Sequence, residues 1–238
     1  MITPARPAVF LGLALLLSAG VVDAQPRPTV VELYTSEGCS SCPPAEAQIG
    51  KLATHDDIIA LAFHVDYWDD LGWRDRFGLP EAVTRQRQYA HTLHLPSVYT
   101  PQLVIDGQRD LVGGGDGIGS GSGGGSGNKP GVPLDVAVHN DSLIVTLGAQ
   151  QQSVVCDVLL LGYLPEAASK VTRGENAGRE LHEFNIVRSL RTLGSWQGEG
   201  RTFSVPLSAI AADATAVVVL VQQRDQGPIV GATSRILR

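Results

Sequence analysis

A chain of 238 residues, 43% hydrophobic and 18% charged, is long enough to bury one or two cores. Its net charge of −6 comes without a long run of one sign, which excludes the clustered Lys and Arg of a nucleic-acid surface and a polybasic membrane anchor. Three cysteines are too few to staple a scaffold, and their odd number leaves at least one thiol free.

Residues 1–24 read as a signal peptide. Arg6 gives a positive start, Ala8 to Ala19 an apolar stretch, and Val22-Asp23-Ala24 the small residues of a cut after Ala24. The stretch is short for a spanning helix, although a retained N-terminal anchor is the other reading. Cleavage would leave a secreted or periplasmic protein, in an oxidising compartment and without a membrane segment in its mature form.

Strand and helix then alternate. Val30 to Tyr34 is an apolar run suited to a buried strand, and from Pro43 the spacing of Ala45, Ile49, Leu52 and Ala53 predicts a helix. Ile58 to Val65 reads as a strand, Pro80 to Leu93 as a helix and Gln102 to Ile105 as a third strand. Asp106-Gly107 is a tight-turn signal, and Arg109 to Val112 is the return strand. The order is β-α-β-α-β-β. Gly113 to Gly127 then holds ten Gly and three Ser in fifteen residues, so 113–130 reads as a linker or surface loop. Beyond it come a hairpin around Asn140-Asp141 and strands at Val154 to Leu161, Thr202 to Val205 and Ala216 to Val221. Arg188 to Leu193 fits a short helix or a strand. This half is β-rich, as a sandwich or as a sheet laid against the first domain.

The feature with most chemistry is Gly38-Cys39-Ser40-Ser41-Cys42-Pro43, after a strand and opening a helix. Unpaired N–H groups and the helix dipole favour a thiolate there, so Cys39 is the expected nucleophile. Two intervening residues let Cys42 return to resolve a mixed disulfide. An inert surface disulfide is the alternative, and so is a two-cysteine copper site completed by a His such as His64. A zinc site is disfavoured because no second C-x-x-C follows. Neither a cofactor nor a resident metal is called for.

Thr100-Pro101 precedes a strand at the one place where a missing N–H does no harm. Glu32 lies in an apolar strand: either a buried acid able to exchange a proton with Cys42, or an edge carboxylate in water. Asp66, Tyr67 and Trp68, in a loop that runs to Trp73, and also Tyr99, are candidates for a substrate groove; plain loop packing is the other reading. His91 and His94 share a helix face, as surface or as metal ligands. Cys156, in an apolar strand, reads as a small hydrophobe. Arg173, Glu175, Asn176 and Arg179, with His182 and Asn185, form either a rim facing the cysteines or an exposed hairpin tip.

The stretches VELYTSEGCSSCPPAEAQIGKLA, FHVDYWDDLGWRD, RQRQYA, SVYTPQLVIDG and RGENAGRELHEFNIVR together resemble a family of secreted bacterial thioredoxin-like proteins catalogued only as a domain of unknown function. The resemblance runs from about Val30 to the C-terminus. It implies an α/β, thioredoxin-like domain at 26–112 followed by a β-rich, sandwich-like domain at 131–238. It also implies a cis-proline at Pro101 beside the cysteine pair, and makes the Arg173 to Arg179 segment a hallmark rather than a chance loop. One departure is visible: thioredoxins follow the hairpin with a helix, and here the Gly/Ser tract comes instead. The expected function is exported thiol–disulfide exchange with a protein or small-thiol partner.

Overall fold

A strand apolar on both sides needs cover on both faces, and β2 (Thr29–Thr35) is buried at every residue. The computed structural model describes residues 26–115 and 129–237, so the signal peptide read at 1–24 and most of the Gly/Ser tract lie outside the described residues. After β1 (Pro26–Arg27) and β2 come α1 (Pro43–Leu52), β3 (Ile58–His64), α2 (Pro80–Thr92), β4 (Gln102–Ile105) and β5 (Arg109–Val112). Both helices open on proline, whose missing N–H is no loss in a first turn. The β4–β5 turn holds Asp106 and Gly107 at φ 52° and 69°. A Cβ at Gly107 would lie 2.6 Å from the Gly227 carbonyl oxygen, so this turn needs glycine twice over.

The second half supplies β6 (Lys129–Pro130), β7 (Leu134–His139), β8 (Ser142–Leu147), β9 (Cys156–Lys170), β10 (Glu180–Trp196), β11 (Arg201–Pro206), β12 (Ala216–Gln223) and β13 (Ile229–Ile236). One eight-stranded sheet runs β13-β12-β9-β10-β3-β2-β4-β5. Strand β10 joins β3 in parallel, with Ile186 opposite Ala62, so strands from both sides of the Gly/Ser tract share one sheet. A three-stranded sheet, β11-β8-β7, and the short β1–β6 pair complete the strands.

The expectation of an α/β, thioredoxin-like fold followed by a β-rich sandwich is therefore corrected. Strands take up 46% of the described residues and helices 15%, and the fold is mostly β. The physical reason lies at the β3 edge. A free-standing first unit would leave that edge's N–H and C=O groups open, and here β10 pairs with it. Arg188 to Leu193, undecided from sequence, lies inside β10.

Side-chain alternation divides the core into three. On one sheet face Val30, Tyr34, Leu61, Phe63, Leu161 and Leu220 pack with residues of α2. The opposite face is covered by α1 over Val31, Leu33, Ala60 and Leu103. Farther along, Val158, Leu160, Val217, Val219 and Val221 meet Leu143, Val145 and Leu147 of the three-stranded sheet. Cys156 belongs to this last cluster as a buried free thiol, and burial raises its pKa.

Candidate functional site

The carboxyl end of β2 delivers the chain into the Cys39 loop, and α1 carries it away. Cys42 is the N-cap residue of α1, its carbonyl accepting from Ala45 N at 2.9 Å and Glu46 N at 3.1 Å. Cys39 and Cys42 form a disulfide, with Cα atoms 5.4 Å apart. Cys39 is fully buried and Cys42 is 1% exposed, while Ser40 and Ser41 face solvent.

The turn between β9 and β10 is bonded to the main chain of the cysteine loop. Asn176, itself fully buried, donates from Nδ2 to the Glu37 carbonyl at 2.9 Å and the Cys39 carbonyl at 3.0 Å. Its Oδ1 accepts from Arg179 at 3.0 Å. Glu175 accepts from Ser40 N at 3.2 Å, and the Ser40 hydroxyl and N–H together lower its pKa. Arg173 is exposed at the tip. The rim proposed from sequence is thus a cover on the cysteine loop, built by Asn176, Glu175 and Arg179.

The Thr100–Pro101 bond is cis. Pro101 is buried, and its carbonyl accepts from Gly113 N at 2.9 Å. A Cβ at Gly113 would lie 2.8 Å from Ala45 and 3.0 Å from Pro101, so this strand end abuts the first turn of α1. Trp68 donates to Thr100 Oγ1 at 2.9 Å, and its Cβ would lie 3.1 Å from a Cβ at Gly38. Trp68 therefore bridges the cysteine loop and Thr100. Tyr67 and Tyr99 reach other partners. The Tyr67 hydroxyl donates to Gln86 at 3.3 Å, the Tyr99 hydroxyl to Asp110 at 2.8 Å, and Gln86 donates to the Tyr99 carbonyl at 2.7 Å. Asp66 is half-buried in the loop turn, its carbonyl accepting from Asp69 N at 3.0 Å.

Glu32 is fully buried, on the α2 face of the sheet and away from α1. Arg85 of α2 clamps it with two hydrogen bonds, 2.8 and 2.7 Å, and the hydroxyls of Tyr34 and Tyr89 each donate to it at 3.1 Å. Arg85 also donates to Gln222 at 2.8 Å. Burial works against the Arg85 charge, but the Glu32 carboxylate raises its pKa well above the usual value. With its oxygens committed to these partners, Glu32 serves an ion-pair network tying α2 to β2 and β12.

The acids beside the cysteines are others. Cys42, Thr35, Glu46, His64, Glu183 and Phe184 line a cavity of about 310 Å³. His64, at the end of β3, shares a proton with Asp75 across 2.7 Å, and its Nε2 lies 3.6 Å from Glu46 Oε1. Asp75 also accepts from Glu37 N and Phe77 N at 2.8 Å each. Burial opposes the His64 charge, yet Asp75 and Glu46 raise its pKa to about 9. Burial likewise opposes the Asp75 charge, and His64 outweighs it, so Asp75 is lowered. Glu46 is raised by burial, although His64 and the nearby Thr35 hydroxyl favour its charged form. Glu183, on β10 and 1% exposed, is pushed by burial up to about 8, and neither of its oxygens meets a donor among the described residues. Of this cluster sequence reading named only His64, as a completing ligand of a copper site, and it missed Glu46, Asp75 and Glu183. Its one local signal is Glu46, one helical turn after Cys42.

Among the described residues, no group of three or more His, Cys, Asp or Glu is placed to hold a metal ion. His91 and His94 are both exposed. His182 is exposed at the cavity mouth, and Asn185 donates to the Ala60 carbonyl at 2.8 Å, binding β10 to β3.

The family model described as protein of unknown function (DUF1223) matches residues 30–222. A crystal structure of protein AGR_C_4864 from Agrobacterium tumefaciens is similar, with 28% identity and a TM-score of 0.73, covering 90% of this chain and 97% of that one. HBP35 of Porphyromonas gingivalis, at 15% identity and a TM-score of 0.52, shares the fold over 90% of this chain and 76% of its own. No curated protein matches the sequence.

Proposed function

We propose that this chain, which belongs to the DUF1223 family, is an exported thiol–disulfide oxidoreductase acting through Cys39 and Cys42 on a protein or small-thiol partner. The observation that carries the reading is the disulfide in the loop between β2 and α1, with Cys42 capping the helix. A thiolate released there faces the positive end of the α1 dipole, which stabilises it. Cys39 attacks a partner disulfide, Cys42 resolves the mixed disulfide, and Thr100 and Pro101 shape the neighbouring wall. Export, read from residues 1–24, would supply an oxidising compartment.

A second reading, a fixed structural disulfide, draws on the burial of both sulfurs. The reduction potential separates the two. Exchange chemistry expects a value above about −300 mV and a mixed disulfide trapped in Cys42→Ser; a potential well below about −300 mV marks a staple and refutes the proposal.

A further inference from the structure

The resolving step of any exchange at this pair has a proton problem. Cys42 is 1% exposed, and its thiol must lose a proton before it can attack. Glu32, the acid that the sequence singles out, is on the α2 face of the sheet and clamped by Arg85. The titratable side chains that line the cavity with Cys42 are those of Glu37, Glu46, His64, Glu180, His182 and Glu183, and of these Glu37, Glu46, His64 and Glu183 are buried. Glu46 follows Cys42 by one turn of α1, and its N–H donates to the Cys42 carbonyl. Glu183 enters from β10, and its two oxygens, like the two of Glu46, meet no donor among the described residues. A buried carboxyl without partners costs free energy, so a role that needs its freedom is the economical explanation. A cavity of about 310 Å³ also has room for several waters to carry a proton between these groups.

We propose that Glu183 is the proton acceptor for the Cys42 thiol, with Glu46 beside it in the cavity and the His64–Asp75 pair as positioning residues. This rests on the redox reading above and deepens it. In the mixed disulfide, the Cys42 proton passes to the Glu183 carboxylate and the Cys42 sulfur attacks Cys39 Sγ. The Cys39–Cys42 bond forms, the bond from Cys39 to the partner sulfur breaks, and the partner leaves as a thiolate with the electron pair. When a partner dithiol reduces the protein instead, Glu183 returns the proton to Cys42.

An ordinary carboxylate is too weak a base to take a thiol proton near neutral pH, because thiols titrate at about 8.5. Burial brings Glu183 to about 8, which matches donor and acceptor. The charged and titratable groups facing it are Glu37, Glu46, His64 and Asp75, and Glu180 and His182 lie on its own strand. Only the His64 charge favours its ionised form among those that act on it.

The test uses the reduced full chain and 4,4′-dithiodipyridine, a small uncharged disulfide that releases one chromophore on attack by Cys39 and a second on ring closure by Cys42. In the wild type, ring closure should rise with pH through an inflection near 8. Glu183→Gln should slow ring closure by about a hundredfold at neutral pH and abolish that inflection, leaving the first release unchanged. Glu183→Asp should recover part of the rate. Ring closure in Glu183→Gln within about twofold of wild type, with the same profile, overturns the proposal. If Glu183→Gln does not fold, infrared difference spectra of wild-type dithiol against disulfide decide. A protonated-carboxyl band that changes supports the assignment, and one that does not change overturns it. A wild-type first release no faster than a free cysteine would instead sink the oxidoreductase reading, so the two failures are distinguishable.

Discussion

Asn176 is the residue whose removal should most change access to the sulfurs. It is fully buried and donates from one nitrogen to the carbonyls of Glu37 and Cys39 at 2.9 and 3.0 Å. Each such bond contributes about 1 kcal/mol net, so Asn176→Ala should weaken closure of the 171–179 turn over the cysteine loop by about 2 kcal/mol. That shifts an open–closed equilibrium by roughly thirtyfold. A reagent that needs the turn lifted should gain by about that factor; one small enough to enter beneath it should gain less. The assay is the rate of Cys39–Cys42 reduction by a small dithiol and by a thiol-bearing peptide, in wild type and variant. Asn176→Asp should open the loop at least as far, because a carboxylate oxygen would then face two carbonyl oxygens. Equal rates for wild type and Asn176→Ala with both reagents, in a protein that still melts cooperatively, would refute the covering role.

Three further outcomes follow from the buried charges. Arg85→Met strands the Glu32 carboxylate in the core and should cost about 3–5 kcal/mol in urea unfolding. Glu32→Gln should leave the ring-closure rate of Cys42 unchanged; a slower step would restore Glu32 to the redox site. Stability should also fall as pH rises. Glu183 titrates at about 8 when folded against an ordinary 4.5, so the folded state holds more protons between those values and loses stability across them. His64, at about 9 against 6.5, contributes stability that is complete below 6.5 and lost as pH passes 9. Asp75, lowered from 3.8, loses its contribution only as pH falls below that value. The urea midpoint should therefore drop between pH 5 and pH 9 by a few kcal/mol equivalent, less so in Glu183→Gln; a flat wild-type midpoint contradicts the assignment.

The elements around the cysteines were legible because local rules decide them. Pro43 and Pro80 start helices, Asp106-Gly107 turns a hairpin, and the runs at β2 and β3 are apolar. Strand β10 was not legible over its length. It carries polar residues along much of its 17 residues, and irregularities between Val187 and Ser189 and between Thr192 and Gly194 shift the phase of its alternation. Without β10 the β3 edge looks free and the first half reads as a unit of its own, which is how the fold-class expectation went astray. Glu32 misled for a related reason. An acid in an apolar strand is conspicuous, but the cation that explains it, Arg85, is 53 residues away on α2.

The same hairpin accounts for what sequence reading found at the site and for what it missed. The β9–β10 turn brings Asn176 onto the Cys39 carbonyl, and a few residues later β10 brings Glu183 into the cavity lined by Cys42. The polar, Gly-rich turn announced Asn176, but nothing local announced Glu183, an acid in a strand rich in polar residues. Their placement depends on β10 lying parallel to β3, fixed by Ile186 opposite Ala62 and by Asn185 on the Ala60 carbonyl. The cover on one cysteine and the acid beside the other are thus set by a single strand pairing, made across a sequence separation that no local motif spans.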